Sequence, residues 1–494
     1  MPIPQQLQPK CFQIEAPPQF AATVKGAVTS LFRTVDFTSG PVLAVAVKDT
    51  EAGIEATVRL ERHQPWHHFD GEITSPCYDQ KDRENRIKER IRLGVKTVLC
   101  KAYGIPFSPW GILVGVRPAK LVHRLIDRGF SREKITAILT DVYAVSQSRQ
   151  ELLLDVVDKQ RRFFLPDVNN PVSVYVGIPF CPTRCGYCSF AAYPLETHSH
   201  LVRGFIKALH HEIEAVGELL RKHRIKVQTV YLGGGTPTTI TGTDLSTLLE
   251  LLNKHFQADQ CEEYTVEAGR PETLTRETLA ILKTHGVQRI SINPQTMRDR
   301  TLQLIGRGHT ADQIREAFAR AAEYQFRHIN ADLIMGLPGE DEADFAYSLE
   351  EIIKLNPDHI TVHSLALKRA SSFRQNLERL ELEQKRGEAM ARYAQERLGK
   401  TGMQPYYLYR QRYIFGDLEN TGYAKPGAES IYNVQMMEER QTIVGLGGGA
   451  ITKLVSPDLS VVRHANPKCP ATYGQQISAI IAAKKYQIER HLSV

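Results

Sequence analysis

From residue 172 onward, short apolar runs alternate with amphipathic stretches. The runs 172–178, 229–232, 264–266, 289–292, 330–334 and 359–363 predict six strands. Between them, Leu245, Leu248, Leu249 and Leu252 recur at helical spacing, and so do Ile314, Phe318 and Ala321. The second of these helices opens with Thr310-Ala-Asp-Gln313, a capping-box signature. Strand and helix in alternation mean parallel βαβ units. The fold class predicted is α/β, a partial (βα)6 TIM-like barrel with its site at the C-terminal ends of the strands.

The first part of the chain follows another pattern. Apolar runs at 42–47 and 54–60 flank a polar, glycine-containing turn and predict a hairpin. Ile87, Ile91, Val95 and Val98 predict a helix over 82–99, whose many Lys and Arg residues read as a solvated face. A strand is expected at 111–116, a helix at 147–164, and a turn-rich linker at 166–171. The expected organisation is an N-terminal α+β domain (1–165), the barrel (172–370) and a smaller helical/mixed C-terminal region (371–494) covering the substrate side. That last region contains a Glu/Arg-rich helix at 377–398.

Composition narrows the picture only slightly. With 42% hydrophobic and 24% charged residues, the 494-residue chain reads as an ordinary globular protein. No apolar run approaches the ~18 residues of a membrane span, and no secretory signal pattern opens the chain. Cys11, Cys77, Cys100, Cys261 and Cys469 are scattered singly, which fits a reducing cytoplasm. The net charge of +7 suits an acidic substrate. Without an aromatic-interleaved basic patch, it gives no reason to expect nucleic acid as a partner.

The remaining three cysteines change the picture. Cys181-Pro-Thr-Arg-Cys185-Gly-Tyr-Cys188 sets three thiolates within eight residues, just after the first predicted barrel strand. Such thiolates suit a soft metal centre, above all an iron–sulfur cluster. Structural zinc would want a second ligand pair, and none is visible. Three ligands on a four-iron cluster leave one iron open, as a catalytic centre requires. Gly233, Gly234, Gly235 and Thr236 follow the second strand and would let backbone approach a ligand closely, though alone they read as a tight turn. Glu267, Gln295 and Arg307 fall at further strand tops. Asp332 sits in an apolar strand, where a carboxylate is costly unless paired or functional. His309 and His464 read as ordinary surface or hydrogen-bonded histidines. The glycine run 445–449 reads as a close-packed turn.

In order and spacing, these stretches resemble the radical S-adenosylmethionine (SAM) enzymes. The resemblance implies that Cys181, Cys185 and Cys188 hold three irons of a [4Fe–4S] cluster and that SAM chelates the fourth. It places Tyr187 near the adenine and the 233–236 turn at the methionine amino group. Glu267, Gln295, Arg307 and Asp332 become polar contacts to ribose and carboxylate, Ile334 and Ala366 pocket-lining positions, and Tyr175 a tyrosine beside the cofactor.

Four segments narrow the resemblance: Tyr175-Val-Gly-Ile-Pro-Phe-Cys181, Gly233-Gly-Gly-Thr-Pro-Thr238, Asp332-Leu-Ile-Met-Gly-Leu-Pro338 and Tyr406-Tyr-Leu-Tyr-Arg-Gln411. They look like the oxygen-independent coproporphyrinogen III dehydrogenases. Gly111-Ile-Leu-Val-Gly-Val-Arg-Pro-Ala-Lys120 and Glu267-Ala-Gly-Arg-Pro271 point to the HemZ-type branch. That family turns two propionates of coproporphyrinogen III into vinyl groups, giving protoporphyrinogen IX, and needs an electron donor protein. Lys368, Arg369 and Arg410 are the candidate cations for such a tetrapyrrole. Two positions depart from the well-studied branch: Phe190 replaces a fourth cysteine and Gly177 a histidine. The sister haem chaperones share the Cys-x-Phe ending, but their His- and Trp-containing haem motif is replaced here by Ser430-Ile-Tyr-Asn433 and Val434-Gln-Met-Met437. A porphyrin-binding chaperone and a radical SAM enzyme on another substrate are the competing readings.

Overall fold

The computed structural model describes residues 11–32, 35–50, 53–61, 67–69, 80–113, 115–188, 192–366, 384–411 and 414–492. The chain divides into two compact units, Met1–Leu154 and Asp155–Val494.

In the first unit, β1 (Gln13–Glu15), β2 (Val42–Thr50), β3 (Gly53–Leu60) and β4 (His67–Phe69) form a sheet in that order. The predicted hairpin is β2–β3, antiparallel from Leu43–Leu60 to Thr50–Gly53. Val24, Val28, Leu43, Val58, Ile91 and Val95 form the core beneath it, where the helices Ala21–Leu31 and Gln80–Tyr103 pack. Among the described residues of 111–116, where a strand is expected, none is in a strand. Gly111 adopts a left-handed φ of 55°, and a Cβ there would overlap the Tyr143 carbonyl. Consecutive turns follow, Gly111 N to Ser108 O and Leu113 N to Trp110 O, and a helix begins at Pro118. The apolar run reflects burial of Trp110, Ile112 and Leu113 in those turns.

The second unit is built on an eleven-stranded sheet. After β5 (Val172–Ile178) come the short β6 (Phe180–Cys181) and β7 (Tyr193–Pro194), paired with each other. The main sheet continues through β8 (Val227–Gly234), β9 (Glu263–Glu267), β10 (Arg289–Ser291), β11 (His328–Met335) and β12 (His359–Ser364). Strands β5 and β8 to β12 are parallel neighbours in chain order, the six predicted strands of the partial barrel. Alternate residues of these strands pack into one hydrophobic core, and those between them face the cavity at the strand ends. Val174, Val176, Val230, Leu232, Val266 and Ile290 are all fully buried. Five helices cover the outside: Val202–Lys222, Gly242–Phe256, Arg276–Thr284, Ala311–Glu323 and Glu342–Lys354. The Thr310–Gln313 capping box is formed as the sequence predicts.

Strands described beyond residue 383 extend this sheet within the same compact unit. β13 (Gln404–Tyr409), at the sheet edge, pairs antiparallel with β14 (Asn420–Ala424), which pairs antiparallel with β12. β15 (Ile443–Gly447) pairs parallel with β5, followed by β16 (Ile451–Val455) and β17 (Val461–Ala465). The helix expected at 377–398 is described over Gln384–Lys400. Gly445 and Gly447 lie in β15, and Gly448 and Gly449 make its tight connection to β16. Buried Glu212 grips it by accepting from Gly447 N (2.7 Å) and Tyr473 Oη (2.6 Å) while paired with Lys484. No helix among the described residues is long and apolar enough to cross a membrane.

Candidate active site

A cavity of about 370 Å³ opens at the C-terminal ends of the parallel strands. Cys181, Cys185 and Cys188 all line it. Their loop leaves β5 at Pro179 and is fixed from several sides. Gly186 N donates to Ile305 O (3.0 Å), and Thr183 Oγ1 to Gly306 O (3.3 Å). Thr236 Oγ1 reaches Cys181 Sγ at 3.5 Å. The glycine turn after β8 docks directly on the loop, with Gly235 N donating to Ile178 O and Thr236 N to Phe180 O, both 2.7 Å. A Cβ on Gly235 would lie 2.3 Å from Phe180 O, so only glycine permits this approach.

Beyond the thiols, the strand tops supply polar groups. Arg307 is buried, with Nη1 donating to Asn293 O (2.5 Å) and Gly269 O (3.3 Å) and Nη2 to Tyr187 Oη (3.1 Å). Gln295 holds a left-handed φ of 70°, a strain of order 1–3 kcal/mol for a residue with a side chain. Its backbone is clamped on β11 by Gln295 N to Asp332 O and Ile334 N to Gln295 O. Glu267 Oε1 accepts from Tyr231 Oη at 2.6 Å. Burial pushes the Glu267 carboxyl up to about 7, and the neighbouring Asp332 charge adds to that push against the Tyr231 bond. Asp332 behaves oppositely. Burial raises it, but the hydrogen bond and charge of His363, 3.6 Å away, bring it below the usual carboxylate value. Asp332 is therefore the ionised acceptor of the pair at neutral pH.

Tyrosines supply a further part of the lining. Tyr175 and Tyr231 are register partners on β5 and β8, and Tyr432 stacks on both, 4.3 Å from Tyr231 and 6.1 Å from Tyr175. Tyr407 and Tyr409, alternate residues of β13, lie stacked at 6.5 Å, with Tyr409 Oη 3.3 Å from His363 Nδ1. His359 also lines the cavity, and burial lowers it to about 3, so it is neutral.

Among the sequence-predicted residues, Tyr175, Tyr187, Gly234, Gly235, Thr236, Glu267, Gln295, Arg307, Asp332, Ile334 and Ala366 line this cavity with the three cysteines. Gly233 stands just behind, where a Cβ would meet Glu267 Oε2 at 3.0 Å. Arg410 is elsewhere. It is buried on the Asp417 side chain (2.8 Å) and carbonyl (3.0 Å), seven residues along, so its charge braces a loop and does not face the cavity. Lys368, Arg369 and Phe190 lie outside the described residues. Gly177 has a local cause: a Cβ there would sit 2.6 Å from Gly448 O, so the β15–β16 connection leaves no room for histidine. His309 is buried and bonded to Glu272 (3.0 Å). Sequence reasoning passed over Arg270, Tyr231, Tyr432 and His363. The period-2 placement of Tyr407 and Tyr409 was the one readable signal for the aromatic wall.

Comparison with known proteins agrees with this geometry. The radical SAM superfamily profile matches residues 175–352. The oxygen-independent coproporphyrinogen-III oxidase-like protein HemZ of Bacillus subtilis is 41% identical over 410 residues, covering 81% of each chain. The haem chaperone HemW of Mycobacterium tuberculosis is 31% identical over 314 residues, 63% of this chain and 75% of that one. The solved coproporphyrinogen III oxidase HemN of Escherichia coli covers 65% of this chain and 72% of its own at 23% identity, with a TM-score of 0.48. Fold and site thus define a radical SAM protein. Within that class the chain belongs to the HemZ family of oxygen-independent coproporphyrinogen-III oxidase-like proteins.

The cofactors of the superfamily, a [4Fe–4S] cluster and SAM, are those of this protein. The cavity fits them. Among the described residues, no three His, Cys, Asp or Glu side chains converge as a single metal ion would need. A cubane spreads its irons over several ångström, so its thiolates can stand further apart. Asn293 Oδ1 and Gln295 Oε1 are buried without a hydrogen-bond partner beside the cavity, acceptors that await a donor.

Proposed function

We propose that the protein oxidatively decarboxylates propionate side chains of a porphyrinogen of the coproporphyrinogen III kind, leaving vinyl groups. In this reading Cys181, Cys185 and Cys188 carry the cluster. The 233–236 turn, Glu267, Gln295, Arg307 and Asp332 carry SAM, with Tyr187, Ile334 and Ala366 around it. Bound together, the two cofactors supply one-electron hydrogen-atom abstraction.

The protein's own part is placement. The Arg307 guanidinium suits a carboxylate, and the Asp332 and Glu267 oxygens suit ribose hydroxyls. The observation that carries the reading is that one cavity joins the thiol loop to a wall of stacked tyrosines. Tyr175, Tyr231, Tyr407 and Tyr409 line it with aromatic surface that suits the separate pyrrole rings of a porphyrinogen, and Tyr175 would hold the substrate beside the thiols. Kinship to HemZ supports the same substrate.

The test is anaerobic incubation of cluster-loaded protein with coproporphyrinogen III, SAM, a one-electron reductant and an electron acceptor. Vinyl-bearing product with matching SAM consumption is expected. Tight haem binding without decarboxylation would instead assign the chaperone role of the HemW relatives.

A pH dependence follows from Glu267. Its carboxyl titrates near 7, and ribose hydroxyls favour the ionised acceptor. SAM affinity should therefore rise from pH 6 to pH 8 and level off above. Glu267→Gln should flatten that profile in calorimetric titrations, and a wild-type profile already flat would remove Glu267 from the contact.

A further inference from the structure

Arg270 lies in the loop after β9 and is buried, with its side chain only 4% exposed. Its Nη2 donates to Cys185 Sγ (3.0 Å), Thr183 O (3.0 Å) and Thr183 Oγ1 (3.2 Å). Nη1 faces Glu272 Oε1 at 3.4 Å, and Glu272 Oε2 meets His309 Nδ1 at 3.0 Å. His309, Glu272 and Arg270 thus form a chain ending on one sulfur. The hydrogen bond from His309, a backbone N–H and the Arg270 charge outweigh burial and hold the Glu272 carboxyl at about 2. Glu272 stays an anion that fixes the orientation of the guanidinium.

We infer that Arg270 is a positioning residue that sets the reduction potential of the cluster through its hydrogen bond to Cys185. The inference rests on the reading of Cys185 as a cluster ligand. A donor on a ligating sulfur withdraws electron density from it, and a buried cation beside it favours the more negative, reduced state. Both effects raise the potential. Thr236 Oγ1 is the hydroxyl donor near Cys181, at a longer 3.5 Å, so the stronger, charge-assisted contact falls on Cys185. Burial matters to the argument, because a cation shielded from water acts at close to full strength.

The test is an electron-paramagnetic-resonance redox titration of reconstituted protein, with iron content measured on the same samples. Arg270→Gln should load iron normally yet shift the reduction equilibrium about tenfold toward the oxidised state, which is 59 mV for one electron. Arg270→Lys keeps the charge but not the planar fork, and should recover part of that shift. Glu272→Gln removes an anion from beside the guanidinium and, by the same electrostatics, should shift the equilibrium by less and the other way, toward the reduced state. It also keeps the question decidable should Arg270→Gln load iron poorly. Wild-type potentials in fully loaded Arg270 variants, or in Glu272→Gln when those do not load, would overturn the inference while leaving the ligand reading intact. If Cys185→Ser retains the cluster, the ligand reading fails first and this inference fails with it.

Discussion

Cys185→Ser is expected to abolish the visible absorption of the reconstituted protein and to bring its iron content close to zero, with far-ultraviolet circular dichroism unchanged. A serine hydroxyl is a poor ligand for a cluster built on thiolates, and the cavity offers no substitute at that point. The loop itself should survive the change. Gly186 N to Ile305 O and Thr183 Oγ1 to Gly306 O hold it on either side of the residue, and Arg270 keeps its two bonds to Thr183. Cys11→Ser, remote in sequence and in the first unit, is the control that should leave colour and iron untouched. Full absorption in Cys185→Ser would show that the cluster is held elsewhere.

Asp332→Asn is expected to leave the cluster in place and to weaken SAM binding by roughly 10- to 150-fold. That range corresponds to losing a hydrogen bond to a charged acceptor, about 1.5–3 kcal/mol. The substitution is sharper than it looks. Asp332 is kept ionised against burial by His363, so the wild-type group is an acceptor on all sides. An amide presents one oxygen and one donor-only nitrogen, and one of these must face the ligand while the other faces His363. Isothermal calorimetry on cluster-loaded protein reads the effect directly. Unchanged affinity would remove Asp332 from the ribose contact.

The barrel was legible because each strand carries apolar residues at the positions that face the core, and all six came within a few residues of their observed ends. The cysteine loop and strand-top residues were legible because local spacing and position carry their chemistry. What escaped depends on long-range geometry. Tyr175, Tyr231 and Tyr432 stack only because β5 and β8 pair in one register and the Ile431–Glu438 helix returns to them. Arg270 appeared only inside the Glu267–Pro271 motif, since its target sulfur lies far back in the chain. Arg410 resembled a free cation until Asp417 closed on it. The misread strand at 111–116 has the same root, as a short apolar run records burial and says little about backbone shape.

The pairing of β15 with β5 carries a consequence for how the molecule comes into being. The strand leading into the cysteine loop has one neighbour supplied soon after it, β8, and one supplied roughly 270 residues later, where Gly447 meets Gly177. At translation speeds of about 5–20 residues per second, that edge stays open for roughly 15–50 s on the ribosome. The Lys484 that pairs with Glu212 behind the β15–β16 connection emerges later still. The strand that carries the thiol loop is thus made early and gains its second neighbour late.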